Sequence, residues 1–387
     1  MKKLKVFFLL LIAFSLRSIY AQSESRVITT GVPFLLITPD ARSAGMGELG
    51  VATSPDVFSQ QWNPAKYVFA DQARGVGVSY TPYLSKLVDD IFLANLTYYT
   101  KNTERSAWGA SLKYFSLGDI QFNDFVNNSI IQQGVERPNE LTLDISYGLK
   151  LNEKFSMSVA GRFIRSDLRL SSDVDATAAS TLGVDISAYY KGDQFDFKSN
   201  KASMRYGINI SNIGPRLKYD EGGQKNFIPT NLRVGAGMNF IFDQSNYINF
   251  NLEFNKLLVP SPVAVYDPES GELVGYQQPD VSFLKGILGS FNDAPDGVSE
   301  ELKEITWATG LEYVFENSFA LRTGYFNESL EKGSRRFLTL GAGFSLSFAT
   351  IDISYLFSTS RIRNPLENTL RFSLTFNLLR PAVDDLN

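Results

Sequence analysis

The 387-residue sequence contains no cysteine and no histidine. Without cysteine there are no disulfides and no thiolate chemistry. Without either residue there are no Cys/His zinc sites and no catalytic groups built on a Ser–His or Cys–His pair. The chain also lacks any internal apolar run near the 18 residues that a membrane-spanning helix requires. A helical membrane protein is therefore excluded. A membrane β-barrel is not, because alternation dilutes its apolar residues.

The chain is rich in aromatic residues and glycine, with 30 Phe, 18 Tyr and 29 Gly. This composition favours strands and tight turns over long helices.

The N-terminus has the pattern of an export signal. Three lysines precede the apolar run 6–14, and the small residue Ala21 follows a short spacer. We expect cleavage after Ala21, which makes residues 1–21 a signal peptide. The alternative is a retained membrane anchor, for which the apolar run is short. Cleavage removes only basic charges, so the mature chain is more acidic and poorly suited to bind nucleic acid.

Most of the remaining sequence alternates between apolar and polar residues, as in a strand with one apolar and one polar face. Residues 370–378, for example, read Leu-Arg-Phe-Ser-Leu-Thr-Phe-Asn-Leu. Many of the alternating segments exceed the usual strand length of about five or six residues and reach the roughly nine to eleven of a tilted membrane strand. The fourteen predicted strands are 74–83, 91–100, 105–117, 137–150, 154–168, 178–192, 201–213, 231–242, 245–259, 304–316, 318–328, 335–348, 349–360 and 367–378.

The connections between these strands alternate in length. Long, mostly polar loops such as 118–136, 214–230 and 260–303 fall on one side, and short turns fall on the other. This asymmetry and the even strand count are typical of bacterial outer-membrane barrels. We therefore predict an all-β, antiparallel transmembrane barrel over residues 74–387, located in the bacterial outer membrane. A soluble β-sandwich is the alternative, but its strands are shorter and nothing places its long loops at one end.

The polar faces of the predicted strands are expected to line the barrel interior. They carry charges of both signs, which must pair or be hydrated there. The simpler interpretation is a structural network of ion pairs, and the alternative is a polar conduit for a ligand. The predicted lumen charges are Arg162, Arg205, Arg233, Glu253, Glu312, Arg322, Asp352 and Arg371.

Residues 22–73 lack clean alternation and contain two motifs. Residues 41–47 read Ala-Arg-Ser-Ala-Gly-Met-Gly, and residues 62–65 read Trp-Asn-Pro-Ala. Glycine and alanine permit close packing, and Asn-Pro marks a turn. We predict that this segment folds into the lumen as a hatch. A flexible tail is the alternative, although disordered segments are poor in aromatics. The predicted hatch residues are Arg42, Gly45, Gly47, Trp62, Asn63, Pro64 and Ala65.

The longest connection, 260–303, is the predicted partner-binding surface. Loops of this length are usually functional or disordered. Its apolar residues around 281–291 recur with the spacing of one helix face, and Asp280 is placed to cap the start of that helix. We predict that the stripe docks on a partner, and the alternative is that it covers the barrel mouth as a lid. The predicted partner-binding residues are Phe283, Leu284, Ile287, Leu288 and Phe291.

The two N-terminal motifs, followed by fourteen strands, resemble the FadL-like outer-membrane proteins, whose hatch contains an Asn-Pro-Ala element like residues 63–65. Within that superfamily, the whole mature chain is most similar to the PorV family of the type IX secretion system of Bacteroidetes. The PorQ family is the nearest alternative. The resemblance implies a subunit that binds the C-terminal signal domain of secreted cargo and associates with a SprA-like translocon barrel. It also implies delivery of cargo to a PorU-type complex that joins it to surface lipopolysaccharide in the outer membrane.

On this resemblance the protein is a binding and shuttle subunit, without a cofactor and not an enzyme. The alternative function is FadL-like transport of long-chain fatty acids or other hydrophobic compounds. An enzyme acting on lipid A is disfavoured, because without histidine its base would have to be an acidic residue or lysine, and no motif suggests one.

Overall fold

The computed structural model describes residues 26–126, 129–169, 177–220, 223–360 and 364–378. The predicted signal peptide, 1–21, lies outside the described residues, as do the residues after 378. Within the described ranges, no helix is both long enough and apolar enough to span a membrane.

Eighteen strands are described, and fourteen of them close into one antiparallel barrel, which confirms the predicted fold class and strand number. The strands are β1 (Arg74–Pro82), β2 (Ile91–Lys101), β3 (Ser106–Leu117), β4 (Ile120–Val126), β5 (Ser129–Glu136), β6 (Asn139–Lys150), β7 (Phe155–Asp167), β8 (Ala179–Phe197), β9 (Asn200–Ile213), β10 (Asn231–Ile241), β11 (Tyr247–Leu257), β12 (Val263–Tyr266), β13 (Leu273–Gln277), β14 (Ile305–Phe315), β15 (Phe319–Asn327), β16 (Arg336–Ser345), β17 (Ala349–Ser358) and β18 (Leu370–Leu378). The order around the barrel is β1-β18-β17-β16-β15-β14-β11-β10-β9-β8-β7-β6-β3-β2.

The barrel strands carry their apolar side chains outward and their polar side chains inward. In β7, Met157, Val159 and Phe163 are exposed, whereas Ser158 and Arg162 between them are buried. This is the reverse of a soluble sheet, in which the apolar face covers a core. An outward apolar band is stable where lipid contacts it, so the alternation that predicts the strands also determines which face meets the membrane.

Two of the long loops contain hairpins that sequence analysis treated as irregular connections. The pair β4–β5 occupies most of 118–136, and β12–β13 occupies part of 260–303. These strands pair only with each other and not with the barrel wall. They were missed because their segments are too short or too irregular to read as membrane strands.

The longest strand, β8, ends five residues later than predicted, at Phe197 instead of residue 192. The Gly-Asp pair at 192–193 has the composition of a hairpin turn, which is why the predicted strand ends there. In the structure the chain continues as strand and turns back only at 198–199.

Three short α-helices and three 3-10 helices complete the described structure. The α-helices are α1 (Ala41–Ala44), α2 (Phe283–Gly289) and α3 (Val298–Lys303), and the 3-10 helices are Pro33–Leu36, Val57–Gln61 and Pro64–Phe69. Helix α2 confirms the helix predicted in the longest loop. The predicted cap is wrong, because the side chain of Ser282, not Asp280, accepts a hydrogen bond from the backbone N–H of Lys285. Asp280 instead forms an ion pair with Arg216.

The N-terminal segment runs through the barrel from one end to the other. Its first part meets the long loops, where the N–H of Gly31 donates to the carbonyl oxygen of Phe227 at 2.8 Å. It reaches the opposite, short-turn end at Arg74, where β1 begins. We call residues 26–73 the hatch. In outer-membrane barrels the long loops face the cell exterior and the short turns face the periplasm.

The apolar core lies between the hatch and the barrel wall. Three clusters divide it, one near the long loops around Phe34, one around Met46 and one around Phe58 and Tyr67. Burying a large apolar side chain contributes about 1.5–3 kcal/mol, so the hatch is bound to the wall by apolar contacts along its whole length.

Candidate functional site

The glycines of the hatch lie where its backbone touches the wall. Gly47 has φ +83°, and a Cβ there would stand 2.9 Å from the backbone nitrogen of Tyr325. A Cβ on Gly45 would stand 3.0 Å from the Cα of Gly341 on β16. Because any larger residue needs room that the opposite strand occupies, these glycines allow the hatch to rest directly on the barrel backbone.

Trp62 joins the two hatch motifs. Its Nε1 donates to Oδ1 of Asp40 at 2.8 Å, and the other carboxylate oxygen of Asp40 accepts from the backbone N–H of Ser43 at 2.8 Å, which caps α1. The Arg233 guanidinium lies 5.0 Å from the centre of the indole ring. One buried carboxylate therefore sets both the start of α1 and the position of Trp62.

Asn63, Pro64 and Ala65 fasten the hatch to two strands. The Asn63 side-chain amide donates to the carbonyl oxygens of Val51, at 3.0 Å, and of Ala188 on β8, at 2.9 Å. Its Oδ1 accepts from the backbone N–H of Ala65 at 3.1 Å and so caps the 3-10 helix that Pro64 begins. The carbonyl oxygen of Ala65 accepts from Ser156 on β7 at 2.6 Å. The amide therefore satisfies three backbone groups that burial would otherwise leave unpaired.

A chain of five charges connects the hatch to three strands. Arg42 donates twice to Glu312, at 2.8 and 2.9 Å, and once to Asp56, at 2.6 Å. Glu312 also accepts from Arg322 at 2.7 Å, and Arg322 donates to Asp352 at 2.7 Å. The bidentate contact between Arg42 and Glu312 is the geometry in which guanidinium–carboxylate pairs are strongest.

The other predicted lumen charges are also buried or half-buried inside the barrel. Seven of the eight predicted charges form ion pairs, either with each other or with residues that sequence analysis did not select. The remaining pairs are Arg162 with Asp144 and Asp185, Arg233 with Glu253 at 3.8 Å, and Arg371 with Glu48 at 2.6 Å. Glu253 also accepts from the backbone N–H groups of Gly50 and Val51 at 2.8 Å.

Arg205 is the predicted lumen charge that has no carboxylate within ion-pair distance among the described residues. Its guanidinium donates to Oδ1 of Asn249 at 3.0 Å, and Asn249 in turn donates to Glu312 at 3.0 Å. The charge of Arg205 thus contacts the five-charge chain through an amide.

Sequence analysis missed both acidic partners of Arg162. Asp144 and Asp185 occupy inward positions of alternating strands, so extending the period-two pattern to them would have identified both. Lys66, directly after the Asn-Pro-Ala element, is fully buried and donates to the Gly50 carbonyl at 2.8 Å and to Thr53 at 3.0 Å.

The hatch separates two cavities. The cavity at the long-loop end has a volume of about 520 Å³, and the cavity at the short-turn end has a volume of about 590 Å³. The first is lined largely by apolar side chains, including Ile28, Leu36 and Phe326, and the second includes Arg42 and Arg205. The described hatch thus lies across the lumen between them.

Four of the five predicted partner-binding residues lie on α2, and Phe291 follows its C-terminal end. We call Phe283, Leu284, Ile287, Leu288 and Phe291 the outer-loop surface. Leu284 is 57% exposed, Leu288 is 78% exposed and Phe291 is 51% exposed. The buried face of the helix is at Gly286, where a Cβ would stand 2.8 Å from the Phe227 ring. The helix therefore rests on a neighbouring loop by its small residue and turns its apolar stripe outward.

A group of three carboxylates and three cations anchors the end of this loop. The carboxylates are those of Glu300, Glu301 and Glu304, and the cations are Arg26, Lys256 and Lys332. Lys332 lies 2.6 Å from Glu300 and 2.9 Å from Glu304, and Lys256 lies 2.8 Å from both Glu301 and Glu304. Burial alone would raise the pKa of Glu300, but the hydrogen bond and charge of Lys332 hold it below its ordinary value. We call this group the clasp.

The closed barrel with its internal hatch has the FadL-like fold that the sequence resemblance predicted. The described geometry agrees with solved barrels of that fold. The Pseudomonas putida toluene transporter TodX is 13% identical over 89% of this chain and 100% of that chain, with a TM-score of 0.52. A second TodX structure is 15% identical over 87% of this chain and 97% of that chain, with a TM-score of 0.50. At such identities the likeness concerns the fold alone.

The chain belongs to the PorV family, described as type IX secretion system protein PorV, whose pattern matches residues 20–264. It is therefore an outer-membrane barrel of the type IX secretion system, and the resemblance drawn from the sequence is confirmed. No curated protein matches the chain.

Proposed function

We propose that this protein binds the C-terminal signal domain of type IX cargo, associates with a SprA-like translocon barrel and carries cargo to a PorU-type attachment complex. There the cargo is joined to surface lipopolysaccharide in the outer membrane. The protein acts by binding and transfer and performs no catalysis. The family match supports a role in this secretion system, and the exposed apolar stripe of α2 is the observation that carries the binding role.

The stripe is costly to leave in water. Leu284, Leu288 and Phe291 are each more than half exposed, on a loop that the clasp anchors to the barrel rim. Covering each side chain with a partner gains about 1–2 kcal/mol at roughly 25 cal/mol per Å². Three neighbouring anchors of this kind are comparable to the small groups of residues that dominate protein interfaces.

The filled lumen also supports a surface role. The hatch is bound by ion pairs, backbone hydrogen bonds and three apolar clusters, so moving it would break many contacts at once. Binding at the outer loops requires no such movement.

The test replaces the stripe without touching the barrel. The triple variant Leu284→Ser, Leu288→Ser and Phe291→Ser is expected to reduce co-purification of a very large barrel and of cargo with a shared C-terminal domain by about tenfold or more. Recovery is measured by mild-detergent pulldown and quantitative mass spectrometry.

Leu87→Ser is the control, because Leu87 lies in the β1–β2 connection at the same end of the barrel and is 77% exposed, nearly the same as Leu288. The control should retain both partners. Equal partner recovery from the triple variant and the wild-type protein would show that the stripe is not the binding surface. If the wild-type pulldown contains neither a large barrel nor cargo, the proposed function itself is contradicted.

The apolar cavity at the long-loop end favours a second candidate function, transport of hydrophobic compounds. A bound lipid would not separate the two functions, because a cavity can bind lipid without transporting it. Uptake of a long-chain fatty acid by vesicles that contain the purified protein would favour transport, and uptake no faster than in empty vesicles would refute it.

A further inference from the structure

At the short-turn end, β8 extends past its neighbour β7 and leaves a strand edge that no other described strand pairs with. The last pair between β8 and β7 is Tyr190 with Phe155. One more backbone bond, from the N–H of Lys191 to the carbonyl of Lys154, closes this ladder. Residues 192–197 continue as strand, and among the described residues 194–197 pair only with β9. We call residues 192–197 the free edge.

The free edge contains a bulge at 192–193, followed by the regular stretch 194–197. After a register shift between Lys191 and Gln194, residues 194–197 pair in order with 203–200 of β9. The segment contains no proline. Asp193 forms an ion pair with Lys154, and Asp196 lies opposite Lys201 in the register. Charge, proline, a bulge and a very short length are the usual means of blocking edge pairing. Here proline is absent, Asp193 is paired, and the bulge precedes the regular residues 194–197.

The side chains along the free edge alternate. Phe195 and Phe197 lie on one face and are 42% and 40% exposed, and Phe197 packs edge-on against Phe240 at 5.5 Å between ring centroids. Gln194 and Asp196 lie on the other face, which borders a groove of about 720 Å³ beside the β10–β11 turn. A strand that fits here carries apolar residues opposite the two phenylalanines and uncharged polar residues opposite Gln194 and Asp196.

We infer that the free edge binds an extended polypeptide segment of a periplasmic partner, which adds to the barrel sheet as an antiparallel strand. The incoming strand occupies the position that β7 would fill if it were as long as β8, directly below the β6–β7 turn. Main-chain hydrogen bonds provide the affinity in this mode of recognition, and alternating side chains provide the specificity.

A second copy of the chain does not fit this role. Two copies in one membrane are related by rotation about the membrane normal, so their β8 strands run in the same direction. Two β8 strands related in this way could pair only in parallel, whereas all neighbouring strands of the barrel are antiparallel. The partner strand therefore comes from a different protein.

The test compares backbone hydrogen exchange at 192–197 in the purified full-length protein and in its complex with co-purified partners. It rests on the proposed translocon association, because the complex supplies the strand. We expect the amides that β9 does not bond to exchange about tenfold or more slowly in the complex. Equal exchange rates in the isolated protein and the complex would overturn the inference. Slow exchange already present in the isolated protein in lipid nanodiscs would also overturn it and assign the phenylalanines to the membrane interface.

Two adjacent proline variants provide the control. Successive residues of a strand direct their N–H groups to opposite sides, so one of Phe195→Pro and Asp196→Pro removes an outward donor and the other removes a donor to β9. The variant that preserves exchange protection of β9 should lose about tenfold of the co-purified partner, whereas Gln244→Pro in the β10–β11 turn should lose none. Retention of the partner by both variants contradicts the inference. If the wild-type chain co-purifies with no partner, the proposed function is refuted as well. If a partner co-purifies but the amides of the free edge exchange as fast as in the isolated protein, only the inference is refuted.

Discussion

Arg42→Ala tests whether the buried charge chain holds the hatch in the lumen. The substitution removes the bidentate contact with Glu312 and the 2.6 Å contact with Asp56. Breaking a buried ion pair costs about 3–5 kcal/mol because the remaining charge stays buried. Glu312 keeps Arg322 and Asn249 as partners, so we expect the lower limit, about 3 kcal/mol.

A loss of this size changes the local opening of the hatch by about a hundredfold, at roughly 1.4 kcal/mol per factor of ten. Hydrogen exchange of the hatch amides around 57–69 measures it directly. The barrel strands should keep their slow exchange, because their ladders do not depend on Arg42. Arg137→Ala is the control, since Arg137 pairs with Asp119 at 3.0 Å in an exposed loop and such pairs contribute about 1 kcal/mol or less. If the hatch amides of the Arg42 variant exchange within about threefold of the wild-type rate, the charge chain does not hold the hatch.

Gly47→Ala is expected to destabilise hatch docking by about 1–3 kcal/mol, because φ is +83° and the new Cβ would stand 2.9 Å from the Tyr325 nitrogen. The measurement is the temperature at which heating changes the mobility of the protein in a gel. This temperature should be lower for the variant, and an unchanged temperature would contradict the prediction. The clasp should open in acid. Because Glu300 and Glu301 have lowered pKa values in the folded protein, their contribution is present above the ordinary glutamate value and is lost as pH falls through the lowered values. A spin label at Leu302→Cys should become more mobile as the pH falls through the lowered glutamate pKa values in the wild-type background, and should be equally mobile at every pH when both glutamates are glutamine. A label equally immobile at pH 7 and pH 3 would contradict the role of the clasp.

The hatch and the outer-loop surface differ in how firmly contacts hold them in place. The hatch is held by contacts with nearly every part of the wall, from Ser373 on β18 to Ser156 on β7. The outer-loop surface is anchored at the clasp and exposes its apolar side chains between anchor points. Regions with fewer buried contacts open at lower free energy, so partner binding is expected to reorganise the loop before it moves the hatch.

Local alternation was sufficient to predict the barrel. Successive side chains in a strand point to opposite faces. The alternating patterns of 370–378 and 141–149 therefore predict both a strand and which residues lie on each of its faces. The alternation does not show whether a strand continues past a pair of residues that resembles a turn. For this reason residues 193–197 of β8 were missed. It also does not reveal short hairpins inside loops, such as β12–β13.

The sequence by itself determined the class of protein, the number of membrane strands and the residues that carry the hatch, because these depend on patterns between near neighbours. Only the tertiary structure decided which charges pair. Arg42 and Glu312 stand 270 positions apart and meet because barrel closure and the path of the hatch place them together. The same holds for exposure: the helical stripe of α2 was visible in the sequence, but its orientation away from the barrel follows from the contact of Gly286 with Phe227. The free edge of β8 is likewise a difference in length between two strands, which exists only once their register is set.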